Sequence, residues 1–275
     1  MSQEKGVLYI ATGDTHRSEA EKSAKRLQDL DLPYGASLVT DENPSQSNLF
    51  ENIILLSDPE YGFADKPAGM RHTPYDQTLY LDSDTYIVTP NGVQDLFETL
   101  NHCDLCGVLD SARSLETLPG SFDLPQELID IPNTFTWINT GVLAFNTAEV
   151  SDILNDWVEY HKRLLQRNDH DDAYGRGLTD QAAFRWSLFA NDISFQVAPP
   201  EYNFRPPYPT SVHDEVHIIH GNCKNMKKIS NIVNRNKQEY RQFLPKRWTK
   251  DDSISSTDTY NLILYLLGRI TRVIG

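Results

Sequence analysis

A short apolar stretch of the chain ends in two aspartates that are separated by a single residue. In the segment 79–84 (LYLDSD), Asp82 and Asp84 directly follow a predicted strand, where a sheet ends and the chain can turn toward a ligand. Carboxylate oxygens suit Mg²⁺ or Mn²⁺, and these cations keep coordination positions open for the two phosphates of a bound nucleotide. Such a cation offsets the charge that develops on a diphosphate leaving group. An acidic pair is also common in turns and helix caps, so its surroundings decide between the two interpretations.

The residues around this pair are typical of a known family. Lys66 and the segment 73–85 (TPYDQTLYLDSDT) resemble the donor-site signature of GT-A glycosyltransferases. Within that fold they are most similar to the retaining family-8 enzymes, the group of glycogenin and the lipopolysaccharide galactosyltransferases. The resemblance covers residues 6–228 and implies an α/β fold with a mixed, mostly parallel sheet flanked by helices. It also implies a metal-dependent transfer of a sugar, with retention, from a nucleotide diphosphate donor (a UDP-sugar is favoured) to a hydroxyl acceptor, and it places Ser83 in the donor site.

Two later segments occur in the order that this family has. The segment 137–146 (WINTGVLAFN) is similar to the strand beside the donor sugar, which implies that Asn139 contacts sugar hydroxyls; taken alone, Asn139 reads as a turn residue before a buried strand. Thr179 or Asp180 could be no more than the N-cap of a helix. The resemblance implies instead that Asp180 orients sugar or acceptor hydroxyls and that Gln181 faces the developing oxocarbenium ion.

A third segment, 216–224 (VHIIHGNCK), resembles a strand end in which a histidine completes the metal shell while a glycine and a lysine hold the diphosphate. Three residues before Gly221 the chain has Ile218 instead of the family's histidine, so the ligand is either His220 or His217. Residues at spacing two in a strand share a face, so His220 points the same way as Ile218, and His217 points away. We therefore expect His220 to join the two aspartates, although a structural role for either histidine stays open.

Further residues are expected around the donor. Lys224 lies three residues after Gly221, and its compact cation suits a β-phosphate. Lys66 or Arg71 occupies the region where the family has a basic residue for the donor, although both could be solvated surface charges. The residues after the first strand, where GT-A enzymes bind base and ribose, are Thr12, Gly13 and Asp14.

Composition limits the class of protein. A formal net charge of −14 makes the surface repel phosphate backbones, which argues against nucleic acid as the main partner, although the acidity itself identifies no substrate. The three cysteines, Cys103, Cys106 and Cys223, are too few for a disulfide framework or a structural zinc site, so we expect buried free thiols. The N-terminus has no long apolar stretch behind basic residues, which predicts no signal peptide and a cytoplasmic protein.

Hydrophobic periodicity predicts alternating strands and helices, with functional loops at the carboxyl ends of parallel strands. Two long stretches, 111–133 and 198–209, are expected to meet the acceptor, which would be a saccharide, a lipid-linked or a protein hydroxyl. The strands are predicted at 7–11, 36–39, 53–56, 78–81, 105–109, 141–145, 194–197 and 216–220, and the helices at 18–30, 92–100, 150–167 and 180–190.

The chain is predicted to be one GT-A domain over residues 1–248, followed by a linker and an amphipathic helix within residues 249–275. The helical part, 261–274, is too short to span a bilayer. It is expected to pack on its own domain, on a partner subunit in self-association, or in the membrane interface near a lipid-linked acceptor, which would make the protein peripheral at the inner face of the membrane.

Two rival functions were weighed against this hypothesis. A haloacid-dehalogenase-type phosphatase also has two aspartates after an apolar strand, but that motif normally ends the first strand and has a threonine two residues past the second aspartate, where this chain has Tyr86. A non-catalytic carbohydrate- or nucleotide-binding protein is the other rival. The presence of four polar site segments in the expected order favours the enzyme.

Overall fold

The computed structural model describes residues 3–110, 126–132, 134–167, 173–206, 208–221 and 225–243. Lys224, Cys223, most of the predicted acceptor loop 111–133 and the predicted C-terminal helix lie outside the described residues. The strands are β1 (Gln3–Ala11), β2 (Gly35–Thr40), β3 (Asn52–Leu55), β4 (Tyr75–Leu81), β5 (Thr85–Ile87), β6 (Leu105–Leu109), β7 (Ile138–Asn146), β8 (Phe195–Ala198), β9 (Thr210–Val212), β10 (Ile218–His220) and β11 (Arg241–Phe243). The helices are α1 (Asp14–Asp29), α2 (Asp65–Met70), α3 (Asn91–Thr99), α4 (Gln126–Ile129), α5 (Ser151–Arg167), α6 (Ala173–Ala190) and α7 (Met226–Val233), with short 3-10 turns at Ser47–Leu49 and Pro200–Tyr202.

The main sheet has seven strands in the order β3-β2-β1-β4-β7-β6-β8, and the expected mixed, mostly parallel α/β architecture is confirmed. The pairs β1–β2, β1–β4, β2–β3 and β6–β8 are parallel, whereas β7 runs antiparallel to both β4 and β6. A strand that is covered on both faces needs an almost continuous apolar sequence, which is what the first strand has. Val7, Leu8 and Tyr9 are accordingly all fully buried.

The antiparallel direction of β7 decides where the site forms. The carboxyl ends of β1, β2 and β4 meet at one edge of the sheet, and β7 begins at that same edge because it runs the opposite way. The amide of Asp82, just after β4, donates to the carbonyl of Gly141 near the start of β7, at 2.8 Å. Two segments that are distant in sequence therefore present their polar residues side by side.

Apolar layers cover both faces of this sheet. Leu79 and Leu81 of β4 pack into the layer on the side of α1 and α3, and Tyr80 between them packs into the layer on the side of α5 and α6. In the second layer Trp157 is fully buried against Phe184, with 4.6 Å between ring centroids. This alternation orients the end of β4, because residues at spacing two share a face.

A second, two-stranded sheet brings the histidine segment to the aspartates. Strands β5 and β10 pair antiparallel, with His220 opposite Thr85, immediately after the acidic pair. The strand β10 is shorter than predicted and begins at Ile218. Among the described residues, no helix has the length and apolar character that crossing a bilayer would require.

The helix boundaries correct one interpretation made from the sequence. The helix α6 begins at Ala173, so Asp180 lies well inside the helix and is not its N-cap. The helix α1 begins at Asp14, four residues before the predicted helix 18–30. The short elements α2, β5, α7, β9 and β11 were not anticipated, because three to eight residues carry too little periodicity to be recognised.

Candidate functional site

Two carboxylates and one imidazole converge beyond the end of β4. One ligand atom from each of Asp82, Asp84 and His220 lies within 4.8 Å of the other two. The Nε2 atom of His220 is 3.3 Å from Asp82 Oδ2 and 3.4 Å from Asp84 Oδ1. The side chains of Asp82 and Asp84 are 20% and 26% exposed, so the cluster has one face open to solvent. Two hard oxygen donors and an imidazole fit a divalent cation such as Mn²⁺, and the open face leaves room for further ligands.

The geometry decides between the two histidines. His217 points away from the aspartates, and its Nδ1 atom lies 2.7 Å from the Thr89 hydroxyl, beside the ring of Tyr202. His220 is the histidine that lies beside Asp82 and Asp84, as strand alternation predicts. Its metal binding is a proposal that the geometry supports.

Lys66 joins the acidic pair to the predicted sugar-site residues. Its ammonium group lies 3.0 Å from Asp82 Oδ1 and 3.4 Å from Asp180 Oδ2, and it donates to the Thr140 hydroxyl at 3.2 Å. Burial by itself would lower the pKa of Lys66, but the carboxylates of Asp180 and Asp82 outweigh it and raise that pKa to about 12. The lysine is therefore a fixed cation within the site. Arg71, the other basic candidate, is exposed at the end of α2.

The charge state of Asp82 suits metal coordination. Burial alone would raise the pKa of this carboxyl, but Lys66, His220 and the Tyr80 hydroxyl outweigh burial and hold the pKa far below its ordinary value. Tyr80 donates to Asp82 Oδ1 at 2.5 Å. The pKa of Tyr80 is in turn raised well above its ordinary value, by burial first and then by Asp82, so the tyrosine stays a hydrogen-bond donor. Asp82 is therefore an ionised, oriented carboxylate at neutral pH.

Asp180 and Gln181 each have an oxygen atom that accepts no hydrogen bond from the described part of the chain. Asp180 is 2% exposed, and its Oδ2 atom accepts from Thr140 Oγ1 at 2.8 Å and from Lys66. Its Oδ1 atom and the Gln181 Oε1 atom are buried, and neither has a hydrogen-bond partner among the described residues. Since a buried polar atom without a partner is costly, each of these oxygens is a candidate acceptor for a hydrogen bond from a bound hydroxyl.

Asn139 stands where β7 begins and is 2% exposed. Its amide oxygen accepts from the Gly141 amide at 3.1 Å and from Asn203 Nδ2 at 2.9 Å. The predicted sugar-contacting side chain is thus already tied into the protein through its oxygen. Gly141 has no side chain, and this allows the His220 ring to pack against its backbone. A Cβ atom at position 141 would lie 2.1 Å from His220 Cε1.

Gly221 and Ser83 flank the metal-binding candidates. Gly221 adopts a φ of 120°, which side chains rarely allow, and its amide donates to the Asp84 carbonyl at 3.2 Å. Ser83 is 9% exposed, and its hydroxyl donates to Glu19 Oε2 over a long 3.4 Å. The turn at Gly221 holds the chain beside Asp84. In sequence, the predicted phosphate ligand Lys224 follows three residues later.

The predicted base and ribose region forms a hydrogen-bonded loop after β1. Thr12 donates to Asp65 Oδ2 at 2.7 Å, and the amide of Gly13, at a φ of 82°, donates to Asp41 Oδ1 at 3.0 Å. Asp41 is also paired with Arg17, which in turn contacts the largely exposed Asp14. The predicted residues therefore lie together at the carboxyl edge of the sheet, and Asp41 and Arg17 hold their loop in place.

Several residues of this site were missed from the sequence. Tyr80 had a usable signal, because it stands two positions before Asp82 on the same face of β4. Thr140 and Asn203 had none, because their contacts with Asp180 and Asn139 span 40 and 64 positions along the chain. Asp41 follows the predicted second strand, a position typical of functional residues, but its pairing with Arg17 depends on the packing of α1 against the sheet.

The topology, the acidic pair after β4 and the histidine on β10 place the chain in a structural class, the GT-A fold of nucleotide-sugar-dependent glycosyltransferases. No model of a known protein family matches the sequence, and no functionally described protein matches it by sequence. Among solved structures, the chain resembles the galactosyltransferase LgtC in complex with donor and acceptor sugar analogues, at 17% identity over 73% of this chain and 76% of that one, with a TM-score of 0.50.

Two further structures are similar at comparable levels. Mouse xyloside xylosyltransferase 1 matches at 16% identity over 80% of this chain and 98% of that one, with a TM-score of 0.51. The glycosyltransferase GlyE of Streptococcus pneumoniae matches at 16% identity over 82% of this chain and 56% of that one, also with a TM-score of 0.51. At such identities the likeness establishes the fold, and the expected GT-A architecture is confirmed.

Proposed function

We propose that this chain is a metal-dependent glycosyltransferase that moves a sugar from a nucleotide diphosphate to a hydroxyl acceptor, with retention of configuration. The observation that carries the proposal is the convergence of Asp82, Asp84 and His220 at the carboxyl edge of a GT-A sheet. The fixed cation of Lys66 contacts both Asp82 of this cluster and Asp180. Within the described part of the chain, Asp180 Oδ1 and Gln181 Oε1 have no hydrogen-bond partner. These observations support a phosphate-binding side at the cluster and a sugar-binding side at Asp180 and Gln181.

The leaving diphosphate requires positive charge. A divalent cation held by Asp82, Asp84 and His220 would neutralise charge on the departing nucleoside diphosphate. The imidazole ligand favours Mn²⁺ over Mg²⁺, which prefers oxygen ligands and retains its waters. Lys66 stays protonated at neutral pH and offers a second positive charge beside Asp82, and Lys224 is proposed as a third. Since Asp82 and Asp180 hold the Lys66 ammonium in place before the donor arrives, this charge would stabilise the transition state without reorganisation.

The sugar side of the site orients the donor. With Oδ2 of Asp180 held by Thr140 and Lys66, its Oδ1 atom is available to accept a hydrogen bond from a sugar hydroxyl. The Oε1 atom of Gln181 is proposed to direct its partial negative charge at the anomeric carbon, where positive charge develops. Asn139 contributes through its amide nitrogen, because its oxygen is engaged by Gly141 and Asn203. Retention rests on the resemblance to the retaining family.

The donor and acceptor are assigned by class. A UDP-sugar is the proposed donor, held at the base and ribose by the loop 12–14. The acceptor is a saccharide, a lipid-linked or a protein hydroxyl that meets the loop 198–209. In that loop, Arg205 is paired with Asp110 at 2.7 Å and lies over the ring of Tyr208, which gives the loop a polar and aromatic surface suited to a sugar.

Calorimetric titration tests the proposal. UDP, GDP, ADP and their sugar conjugates are titrated into the protein with Mn²⁺, with Mg²⁺ and with EDTA. We expect one nucleotide diphosphate to bind in the presence of Mn²⁺ and to lose its binding in EDTA. The Asp82→Asn/Asp84→Asn variant keeps the size of both side chains but removes their charge, so it should lose metal-dependent binding.

A charge-matched control separates the site from general electrostatics. Asp152→Asn/Asp192→Asn removes two exposed carboxylates elsewhere on the surface and should bind nucleotide like the wild type. Absence of binding by every nucleotide to folded protein would refute the proposal. Binding without donor hydrolysis or transfer to any saccharide, lipid-linked or peptide acceptor would instead identify a non-catalytic binding protein.

A further inference from the structure

We infer that Asn203 is a positioning residue that keeps the His220 ring in the form able to bind a metal ion. Asn203 lies just after the 3-10 turn Pro200–Tyr202, in a segment for which the sequence suggested only acceptor contacts. It is 4% exposed. The inference rests on the proposed function insofar as a cation binds at His220, but its structural part can be tested in the metal-free protein.

The side chain of Asn203 links the metal cluster to the sugar side of the site. Its Nδ2 atom donates to Asn139 Oδ1 at 2.9 Å, and its Oδ1 atom lies 2.9 Å from His220 Nδ1. The orientation of the amide follows from the backbone. The Gly141 N–H can only donate, and it donates to Asn139 Oδ1 at 3.1 Å. The group of Asn203 that faces this oxygen must therefore be its NH₂, which turns its oxygen toward His220.

An oxygen acceptor at 2.9 Å requires a proton on His220 Nδ1. On the other side of the ring, the carboxylates of Asp82 and Asp84 lie 3.3 Å and 3.4 Å from Nε2 and attract a proton to that nitrogen. A neutral ring has one proton to place, and a metal ion needs the lone pair of Nε2. By holding the proton on Nδ1, Asn203 leaves Nε2 available, as outer-shell partners of metal-bound histidines do.

The backbone keeps the two residues in register. The amide of Phe204 donates to the Ile218 carbonyl at 2.9 Å, and the amide of His220 donates back to the Phe204 carbonyl at 2.9 Å. The segment that carries Asn203 therefore forms a parallel bridge to β10, between Phe204 and Ile219, which fixes the backbones of Asn203 and His220 relative to each other. The same asparagine fixes the oxygen of Asn139, so the orientation of a proposed sugar contact and that of a metal ligand depend on one residue.

Three variants distinguish positioning from simple packing. Asn203→Leu preserves the volume but removes both hydrogen bonds, whereas Asn203→Asp preserves an acceptor for His220 Nδ1. The control is Asn234→Leu: Asn234 holds the chain before β10 by bonding the amide and carbonyl of Val216, at 2.8 Å and 2.9 Å, and it does not contact His220.

Two properties are measured. The first is Mn²⁺ affinity, monitored by the electron paramagnetic resonance signal of free Mn²⁺. The second is which ring nitrogen of His220 carries the proton in metal-free protein at alkaline pH. Long-range ¹H–¹⁵N spectra of histidine-labelled protein report the protonation, and the His220 signals are assigned by their absence in His220→Asn. We expect a proton on Nδ1 in the wild type and on Nε2 in Asn203→Leu. Asn203→Leu should bind Mn²⁺ about 10- to 100-fold more weakly, as is usual when an outer-shell partner is lost.

Asn203→Asp should retain the Nδ1 proton and most of the Mn²⁺ affinity, and Asn234→Leu should lose stability alone. An unprotonated Nδ1 in the wild type would overturn the inference, as would equal losses of affinity in Asn203→Leu and Asn234→Leu. If the wild type binds no Mn²⁺ at all, the proposed function fails, while the spectra of the metal-free protein still decide whether Asn203 sets the protonation of the ring.

Discussion

Replacement of Gly141 by alanine should move His220 away from the proposed metal site. A Cβ atom at position 141 would lie 2.1 Å from His220 Cε1, 2.6 Å from His220 Nδ1 and 2.8 Å from Asp82 Oδ2. Carbon atoms in contact are about 3.5 Å apart, so the ring must retreat by roughly 1.4 Å. Metal–ligand distances tolerate changes of only about 0.2 Å. The displacement is therefore several times larger than a coordinating histidine can accommodate.

The expected loss of Mn²⁺ affinity is at least the roughly 10- to 100-fold that removal of an outer-shell partner causes, because here a ligand itself is displaced. Overpacking should also cost about 1–3 kcal/mol of stability. Titration of Mn²⁺ by electron paramagnetic resonance measures the first effect, and thermal unfolding in EDTA measures the second. Measured together, they show whether the variant is folded when it fails to bind.

The matched control is Gly107→Ala, the same substitution on the neighbouring strand β6. A Cβ atom there would lie 2.5 Å from Ile138 Cγ2 and 3.0 Å from Leu143 Cδ2, so it overpacks apolar side chains and contacts no candidate ligand. Gly107→Ala should lose stability and keep its Mn²⁺ affinity. A folded Gly141→Ala protein that binds Mn²⁺ as tightly as the wild type would refute the assignment of His220 as a ligand.

Two further predictions concern charge and stability. Burial would raise the pKa of Asp41, but Arg17 and the Gly13 amide outweigh burial and lower that pKa from 3.8 to about 2. The ionised carboxylate therefore contributes its full stabilisation at pH values above 3.8, and this contribution is lost as the pH falls through about 2. Asp41→Asn should therefore flatten the acid side of a plot of Tm against pH, and an unchanged acid side would contradict the assigned pairing. The pKa of Lys66 is raised from 10.5 to about 12, so its contribution is complete below 10.5 and is lost as pH rises through 12. Lys66→Met leaves the buried carboxylate of Asp180 without its cation and should cost about 3–5 kcal/mol at neutral pH, measured by denaturant unfolding in EDTA. A loss below about 1 kcal/mol would show that the site does not need this cation.

The central position of Lys66 also explains how the site tolerates its own negative charge without a bound cation. Asp82 and Asp180 both contact its ammonium group, at 3.0 Å and 3.4 Å. A buried carboxylate without a counter-charge would be protonated or would destabilise the fold. The lysine keeps the carboxylate of Asp82 ionised, which the proposed binding of a cation requires.

Local sequence patterns determined much of this molecule. The continuous apolar runs before Thr12, Asp41 and Asp82 predicted parallel strands whose carboxyl ends carry polar residues, and the structure brings these ends to one edge of the main sheet. Strand alternation predicted that His220, and not His217, faces the acidic pair. Both inferences succeed because a strand's burial and the direction of its side chains depend on its own residues and on the period of two.

Other features were decided by the tertiary structure. The choice of Lys66 over Arg71, the interior position of Asp180 in α6 and the role of Asn203 could not be read from the sequence. Lys66 and Asp180 are 114 residues apart, and Asn203 and Asn139 are 64 apart. Such contacts depend on which strands become neighbours and on the reversed direction of β7, and no local period encodes either. The sequence therefore supplied the metal-binding candidates and the edge of the sheet where they lie, whereas long-range packing selected the charged and amide side chains that orient them.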